Sequence, residues 1–254
     1  MLKNILQTKI ARKIHRQIGK TIFDYKMINP DDRILVAVSG GKDSLTMLID
    51  FIKRISSFPI PFEFEAVHVI YDFKKNSFPE EFEKFTKDNH IKSHLIKINI
   101  LKRIKNSKKM NCYWCSTQRR IELMRLALEN DFNKIALGHH LDDIVETFLM
   151  NIFFKAEVAT MMPVMQYNKY PVTIIRPLAS CKEDDIKEYI KYYDFNIENY
   201  CCAYNSNSKR NVMKNMLNQL KLNNRHIYKN IMHAMQNINQ EYLLSDQVKL
   251  NPEL

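Results

Sequence analysis

The apolar run Ile34-Leu-Val-Ala-Val38, opened by Arg33, passes directly into Ser39-Gly40-Gly41-Lys42-Asp43-Ser44, and a helical pattern over Leu45–Ile55 follows at once. Few folds accommodate that succession. A strand that is apolar on both faces must be covered on both sides. A glycine pair between strand and helix lets the backbone approach a ligand at the helix N-terminus, where amide N–H groups lack partners. Ser39 and Ser44 add hydroxyl donors, and Lys42 can neutralise phosphate charge. The loop is not a Walker A motif, because Asp43 separates the lysine from the serine and the upstream glycine is missing. No G-x-G-x-x-G supports dinucleotide binding. A bare Gly-Gly turn is often only a tight connection, but six specified residues between strand and helix favour a phosphate site.

The rest of the chain continues the alternation. Strands are expected at Phe64–Ile70, Ser93–Ile98, Lys134–Leu137 and Val172–Ile175. Helices are expected near Pro79–Asn89, over Ser116–Asn130 with Ile121, Met124 and Leu128 on one face, and over Asp142–Phe154. Ser180 and Glu183 read as a capping box for a helix with apolar positions Ile186, Tyr189, Ile190 and Tyr193. Everything after Asn205 reads helical and basic. The fold class is therefore α/β, a doubly wound, mostly parallel five-stranded sheet with an N-terminal helix and a helical C-terminal extension. The expected organisation is a basic helical segment over 1–30, a nucleotide-binding domain over 31–195, and a C-terminal segment over 196–254.

With 254 residues, 45% of them hydrophobic, the chain can bury a core without staples, and wholesale disorder is excluded. No apolar run approaches the roughly 18 residues of a spanning helix, so no membrane association is expected. Residues 1–20 have no h-region of a signal peptide, and a transit peptide fits poorly without serine. Five cysteines and no export signal suggest reduced thiols in a cytoplasmic protein.

Lys and Arg number 39 against 28 Asp and Glu, a net charge of +11. The excess is uneven: residues 1–23 and 199–240 contain no acid, and Lys97–Lys109 carries six bases. Segments that can fold onto one face are the electrostatic footprint of a polyanion binder. Solvated surface in a lysine-rich chain is the plainer alternative.

Cys112-Tyr-Trp-Cys115 opens a helical pattern, and Cys201-Cys202 lies far downstream. In a reduced compartment the C-x-x-C is a redox dithiol, half of a zinc site with His139 or His140, or a pair of cluster ligands. Two thiolates plus one remote cysteine would leave one iron of a four-iron cluster open to sulfide or substrate. Cys181 precedes an amphipathic helix and reads as a small core residue. Gly138-His-His-Leu-Asp-Asp143 follows a short strand and begins a helix. Asp142 and Asp143 can hold Mg2+ or accept a proton, and His139 and His140 can touch the nucleotide or orient the carboxylates, although a helix dipole alone would favour two acids there. Arg119, one turn after Cys115, can stabilise an oxyanion or a phosphate, or with Arg120 contact RNA phosphates.

Taken in order, Ser39–Ser44, Cys112/Cys115, Leu137–Asp143 and Arg176-Pro-Leu-Ala179 resemble the tRNA 2-thiocytidine synthetases, within the PP-loop (N-type) ATP pyrophosphatase superfamily. The resemblance runs from about Leu6 to about Leu220. It implies an adenine nucleotide α-hydrolase-like fold, ATP and Mg2+, and a [4Fe-4S] cluster on Cys112, Cys115 and Cys202. It implies replacement of the 2-oxygen of a cytidine at position 32 of a tRNA anticodon loop, through an adenylated intermediate. In that scheme Ser39, Gly40, Gly41, Lys42, Asp43, Ser44, Gly138 and His139 bind the nucleotide, and Cys112, Cys115, Cys202, Asp143 and Arg119 serve the chemistry. The implied partners are tRNA, a sulfur donor such as a cysteine desulfurase, and a second copy in a homodimer. One departure is visible: Asn199 stands where the family has the first of two distal cysteines, so Cys202 aligns with the second and Cys201 is an adjacent extra. Ala203-Tyr204-Asn205 also replaces the family's Gly-Ser-Gln. Uridine 2-thiolation and lysidine formation are rival tRNA reactions on the same loop. A zinc-stabilised RNA-binding module without catalysis is the rival from another class.

Overall fold

The computed structural model describes residues 8–72, 78–103, 112–167, 170–193, 195 and 209–243. The chain opens with α1 (Lys9–Asp24), then β1 (Asp32–Val38), α2 (Lys42–Arg54), β2 (Phe62–Tyr71), α3 (Phe78–Asp88) and β3 (Ser93–Ile98). A short α4 (Ile100–Arg103), α5 (Cys112–Glu129), β4 (Lys134–Ala136), α6 (Leu141–Lys155), β5 (Val164–Gln166) and β6 (Thr173–Ile175) follow. Helices α7 (Glu183–Ile190), α8 (Lys209–Asn223) and α9 (Ile227–Ala234) complete the described part, with a 3-10 turn at Gln240–Tyr242.

The sheet has six strands in the order β3-β2-β1-β4-β6-β5. Five are parallel, as expected, with Val36 of β1 beside Ala66 of β2 and Ala136 of β4. The sixth, β5, is an antiparallel edge strand that the sequence reading omits. Three residues are too few to show a period of two.

Residues alternate across the sheet and divide the core in two. Ile34, Val36 and Val38 pack under α1, α2, α3 and α7. Leu35 points to the other face, with Ile135, Ile174 and α5. On α5 the buried apolar positions are Leu123, Met124 and Ala127, whereas Ile121 and Leu128 are exposed. The expected face is thus displaced by about one position. The capping box expected from Ser180 and Glu183 does not form either. Lys182 is the N-cap of α7, Ser180 Oγ meets Thr21 of α1, and Glu183 is drawn to lysines elsewhere. Cys181 is fully buried, as expected of a core residue.

A buried polar cluster joins α1 to α2. Arg54 donates to both oxygens of Asp50 at 2.8 and 3.0 Å and to the His15 carbonyl at 2.8 Å. Asp50 also meets His15 Nδ1 at 2.7 Å. The N-terminal helix is thereby fixed to the helix that begins at the phosphate loop. Among the described residues no helix is long and apolar enough to cross a membrane.

Candidate active site

In parallel sheets of this kind ligands sit beyond the carboxyl ends of the strands, near the strand-order switch. Here that place lies at the ends of β1 and β4, neighbours with β2 on the outer side of β1. Ser44 Oγ organises the β1–α2 loop. It accepts the Ser39 N–H at 3.0 Å, donates to the Gly41 carbonyl at 2.9 Å and lies 3.1 Å from Ser39 Oγ. Gly40 has φ +87°, a conformation that side chains rarely adopt, and an added Cβ would meet the Phe78 ring at 3.0 Å. Gly41 is the N-cap of α2 and supplies no side-chain cap, so the first helical N–H groups face the loop's concavity. Lys42 lies 3.0 Å from Asp43 and 3.1 Å from Glu183. Burial opposes its charge, but those carboxylates outweigh it and hold its pKa above the usual lysine value.

The β4–α6 turn packs directly on this loop. An added Cβ on Gly138 would come within 3.0 Å of the Ser44 N and Cα, so only glycine allows the two turns to meet. Arg176 Nε donates to His139 Nδ1 at 3.2 Å, which requires a neutral ring with its proton on Nε2. Burial, aided by Arg176, Arg119 and Arg210, lowers the His139 pKa to about 3 despite the pull of Asp143. His140 is also buried, but Asp142, Asp143 and Asp43 surround it at 3.4 to 3.6 Å and raise its pKa. The His140 N–H donates to Asp143 at 3.1 Å. Burial works against the Asp143 carboxylate, yet His140 and Arg210 hold its pKa low.

Asp43 Oδ1 is buried and has no hydrogen-bond partner. No group of three or more His, Cys, Asp or Glu side chains able to hold a metal ion occurs among the described residues. The orphaned Asp43 oxygen fits Mg2+, which keeps its waters and is commonly held by one or two carboxylates together with substrate phosphates. Asp43 Oδ1 stands without a hydrogen-bond partner there, whereas Asp143 accepts from Arg210 and from the His140 N–H, and Asp142 from the Glu183 N–H.

Helix α5 begins at Cys112, whose side chain lies outside the described residues, as do Cys201, Cys202 and Asn199. Cys115 is described: it is partly exposed and in no disulfide. Arg119 hydrogen-bonds Tyr71 at the end of β2, and the electrostatic influence of Cys115 reaches the same phenol. Burial raises the Tyr71 pKa. Because Arg119 also acts on His139, the first turns of α5 and the β4–α6 turn share one electrostatic neighbourhood.

The PP-loop domain family matches residues 6–221. The tRNA-cytidine(32) 2-sulfurtransferase of Shewanella denitrificans is 38% identical over 90% of this chain and 72% of its own. The chain belongs to the PP-loop tRNA-cytidine(32) 2-sulfurtransferase family. Its namesake from Alcanivorax borkumensis is 37% identical over 91% of this chain and 82% of its own. The solved U34-tRNA thiolase NcsA from Methanococcus maripaludis, with its [4Fe-4S] cluster, superposes with a TM-score of 0.73 at 20% identity. That superposition covers 95% of this chain and 85% of the thiolase, and it shows a shared fold.

Four residues of this PP-loop chain enter the site without having been expected there. Glu183 receives Lys42, Lys187 and Lys214 at 2.9 to 3.1 Å, and these lysines outweigh its burial and hold its pKa at about 2. Arg210 of α8 reaches Asp143 at 2.6 Å and Thr147 at 3.2 Å. Lys214, one turn later, reaches Glu183. Arg176, noted only as part of a sequence motif, is the buried partner of His139. A basic segment signals cations but not their carboxylate partners, so Arg210 and Lys214 were legible as charge and not as site residues.

Proposed function

We propose that the chain is an ATP-dependent tRNA sulfurtransferase that replaces the 2-oxygen of cytidine 32 by sulfur. The reading is supported most by one observation: Gly138 of the Gly138–Asp143 turn packs on Ser44 of the phosphate loop, and Arg119, on the helix that carries Cys115, acts electrostatically on His139 of that turn. A phosphate site alone would serve many reactions, and a thiol pair alone would serve many others. Their joint placement suits activation of a carbonyl followed by its replacement.

In this scheme the N–H groups at the start of α2, with Ser39, Ser44 and Lys42, hold the β- and γ-phosphates. Asp43 and Asp143 would hold Mg2+, whose charge would offset that of the phosphates. The cytidine leaves its stack in a single-stranded loop, where unstacking costs least. Its 2-oxygen attacks the α-phosphorus, forming a C–O–P linkage as pyrophosphate departs with the electron pair of the broken P–O bond. Sulfide-level sulfur then attacks C2 with its own electron pair, and AMP leaves with the former carbonyl oxygen and the pair of the broken C–O bond. The neutral His139 presents Nε2–H as a donor to the nucleotide, and Arg119 faces the charge that develops. Cys112, Cys115 and Cys202 would hold a [4Fe-4S] cluster, which when bound supplies the sulfur-carrying Lewis acid. The sulfur donor is read as a cysteine desulfurase, the compartment as the cytoplasm, and the assembly as a homodimer.

The test combines oxygen-free protein, ATP, Mg2+, a sulfide source and tRNA, with nucleosides analysed by mass spectrometry. The expected product is 2-thiocytidine at position 32, lost in Cys112→Ala and Cys115→Ala together with bound iron. Pyrophosphate release without any thiolated nucleoside overturns the reading, and 2-thiouridine in its place moves the target to the rival base.

A further inference from the structure

A cavity of about 370 Å3 opens between the end of α1, the start of α6 and α9. Its volume suits a small ligand or a single nucleotide rather than a duplex. Its wall is shared with the phosphate site. Leu141 and Lys182 line the cavity. Their chain neighbours face the other way: His140 approaches Asp43, Asp142 accepts the Glu183 N–H at 2.8 Å, and Glu183 pairs with Lys42. One residue of backbone separates the two sites.

The chemistry of the lining is selective. Tyr25, Tyr228 and His226 supply flat rings, while Lys182, Arg225 and Lys229 supply positive charge. No acidic residue lines it among those described. Rings beside cations, with no carboxylate in the lining itself, are the composition that retains single-stranded nucleic acid, because bases stack on rings and cations follow the backbone. Tyr228 is half-buried, and burial with nearby acids raises its pKa, so its ring stays uncharged.

We propose that this cavity is an RNA subsite: it takes one unpaired nucleotide of the substrate loop, neighbouring the base under modification. The base stacks on Tyr228 and the phosphate lies toward Arg225 and Lys229. This rests on the tRNA sulfurtransferase reading above.

The full chain is titrated with a fluorescent anticodon stem–loop RNA and, separately, with a non-hydrolysable ATP analogue and Mg2+. Tyr228→Ala is expected to weaken RNA binding about tenfold, the effect of one stacked base. Tyr228→Phe keeps the ring and is expected to stay within about twofold of wild type. Nucleotide binding is expected to be the same in all three proteins. Lys229→Gln is expected to weaken RNA binding and reduce the log–log salt slope by roughly 0.7 to 1, the contribution of one phosphate. Wild-type RNA affinity in Tyr228→Ala overturns the subsite while leaving the sulfurtransferase reading intact. Parallel loss of RNA and nucleotide binding also overturns it, since the cavity would then be a structural wall of the phosphate site. Inorganic phosphate that competes as well as RNA reassigns the cavity to small anions. A wild-type chain that binds nucleotide but no RNA overturns both readings together.

Discussion

At the β4–α6 turn two adjacent imidazoles are driven in opposite directions, His139 down to about 3 by burial and three arginines, His140 upward by three carboxylates that outweigh its burial. The first consequence concerns stability. Between the folded pKa of His139, about 3, and its unfolded value near 6.5, the unfolded chain binds a proton that the folded chain does not. Stability contributed by His139 is therefore lost as pH falls below about 6.5, by at most about 1.4 kcal/mol per pH unit. His139→Gln, whose amide oxygen can still accept from Arg176, is expected to flatten that acid limb in urea titrations at pH 5 and pH 7. An equally steep loss in the variant would assign the proton to another group. The residue types of this turn were legible in the sequence, and so was its place at a helix start. The opposite states of the two histidines were not, because Arg176 and Arg210 arrive from segments far along the chain.

Among the elements, the strands and helices of the parallel sheet were legible because continuous apolar runs and 3.6-residue patterns alternate without long connections. Helix α5 illustrates where pattern reading stops. Its sequence Ile121-Glu-Leu-Met-Arg-Leu-Ala-Leu128 offers two overlapping apolar stripes, and only the position of Leu35 and Ile135 beneath it selects Leu123, Met124 and Ala127. Edge strand β5 was missed because its partner, β6, decides its existence more than its own three residues do. The close approach of the two site turns belongs to this scale as well. Gly138→Ala must push the β4–α6 turn off the backbone of Ser44. We expect a cost of about 1–3 kcal/mol, typical of overpacking, and a melting temperature several degrees lower. Nucleotide affinity should fall by more than this loss of stability explains. Unchanged nucleotide binding by calorimetry would show that the turns can separate without harm to the site.

Over the whole molecule the charge is +11, with α1 and α8 among its most basic elements, and parts of it are already neutralised inside the protein. Lys13 is paired with Asp185, Lys214 with Glu183 and Lys221 with Asp184. The remaining exposed cations are expected to bind tRNA through its phosphates, so affinity should fall at least about tenfold between 50 and 200 mM salt. Binding that ignores salt would mean that the basic faces are only solvated surface. Glu183 gathers lysines from α2, α7 and α8, and this has a consequence for turnover. In the proposed scheme pyrophosphate leaving the loop would vacate Lys42, and Glu183, 3.1 Å away, would take its place as an internal rival to the product. Glu183→Gln removes that rival's charge. Pyrophosphate should then inhibit the variant about tenfold more strongly, a difference of about 1.4 kcal/mol in line with one charge-assisted hydrogen bond. Product-inhibition kinetics would measure the shift, and equal inhibition of both proteins would leave Glu183 with only the task of joining three helices.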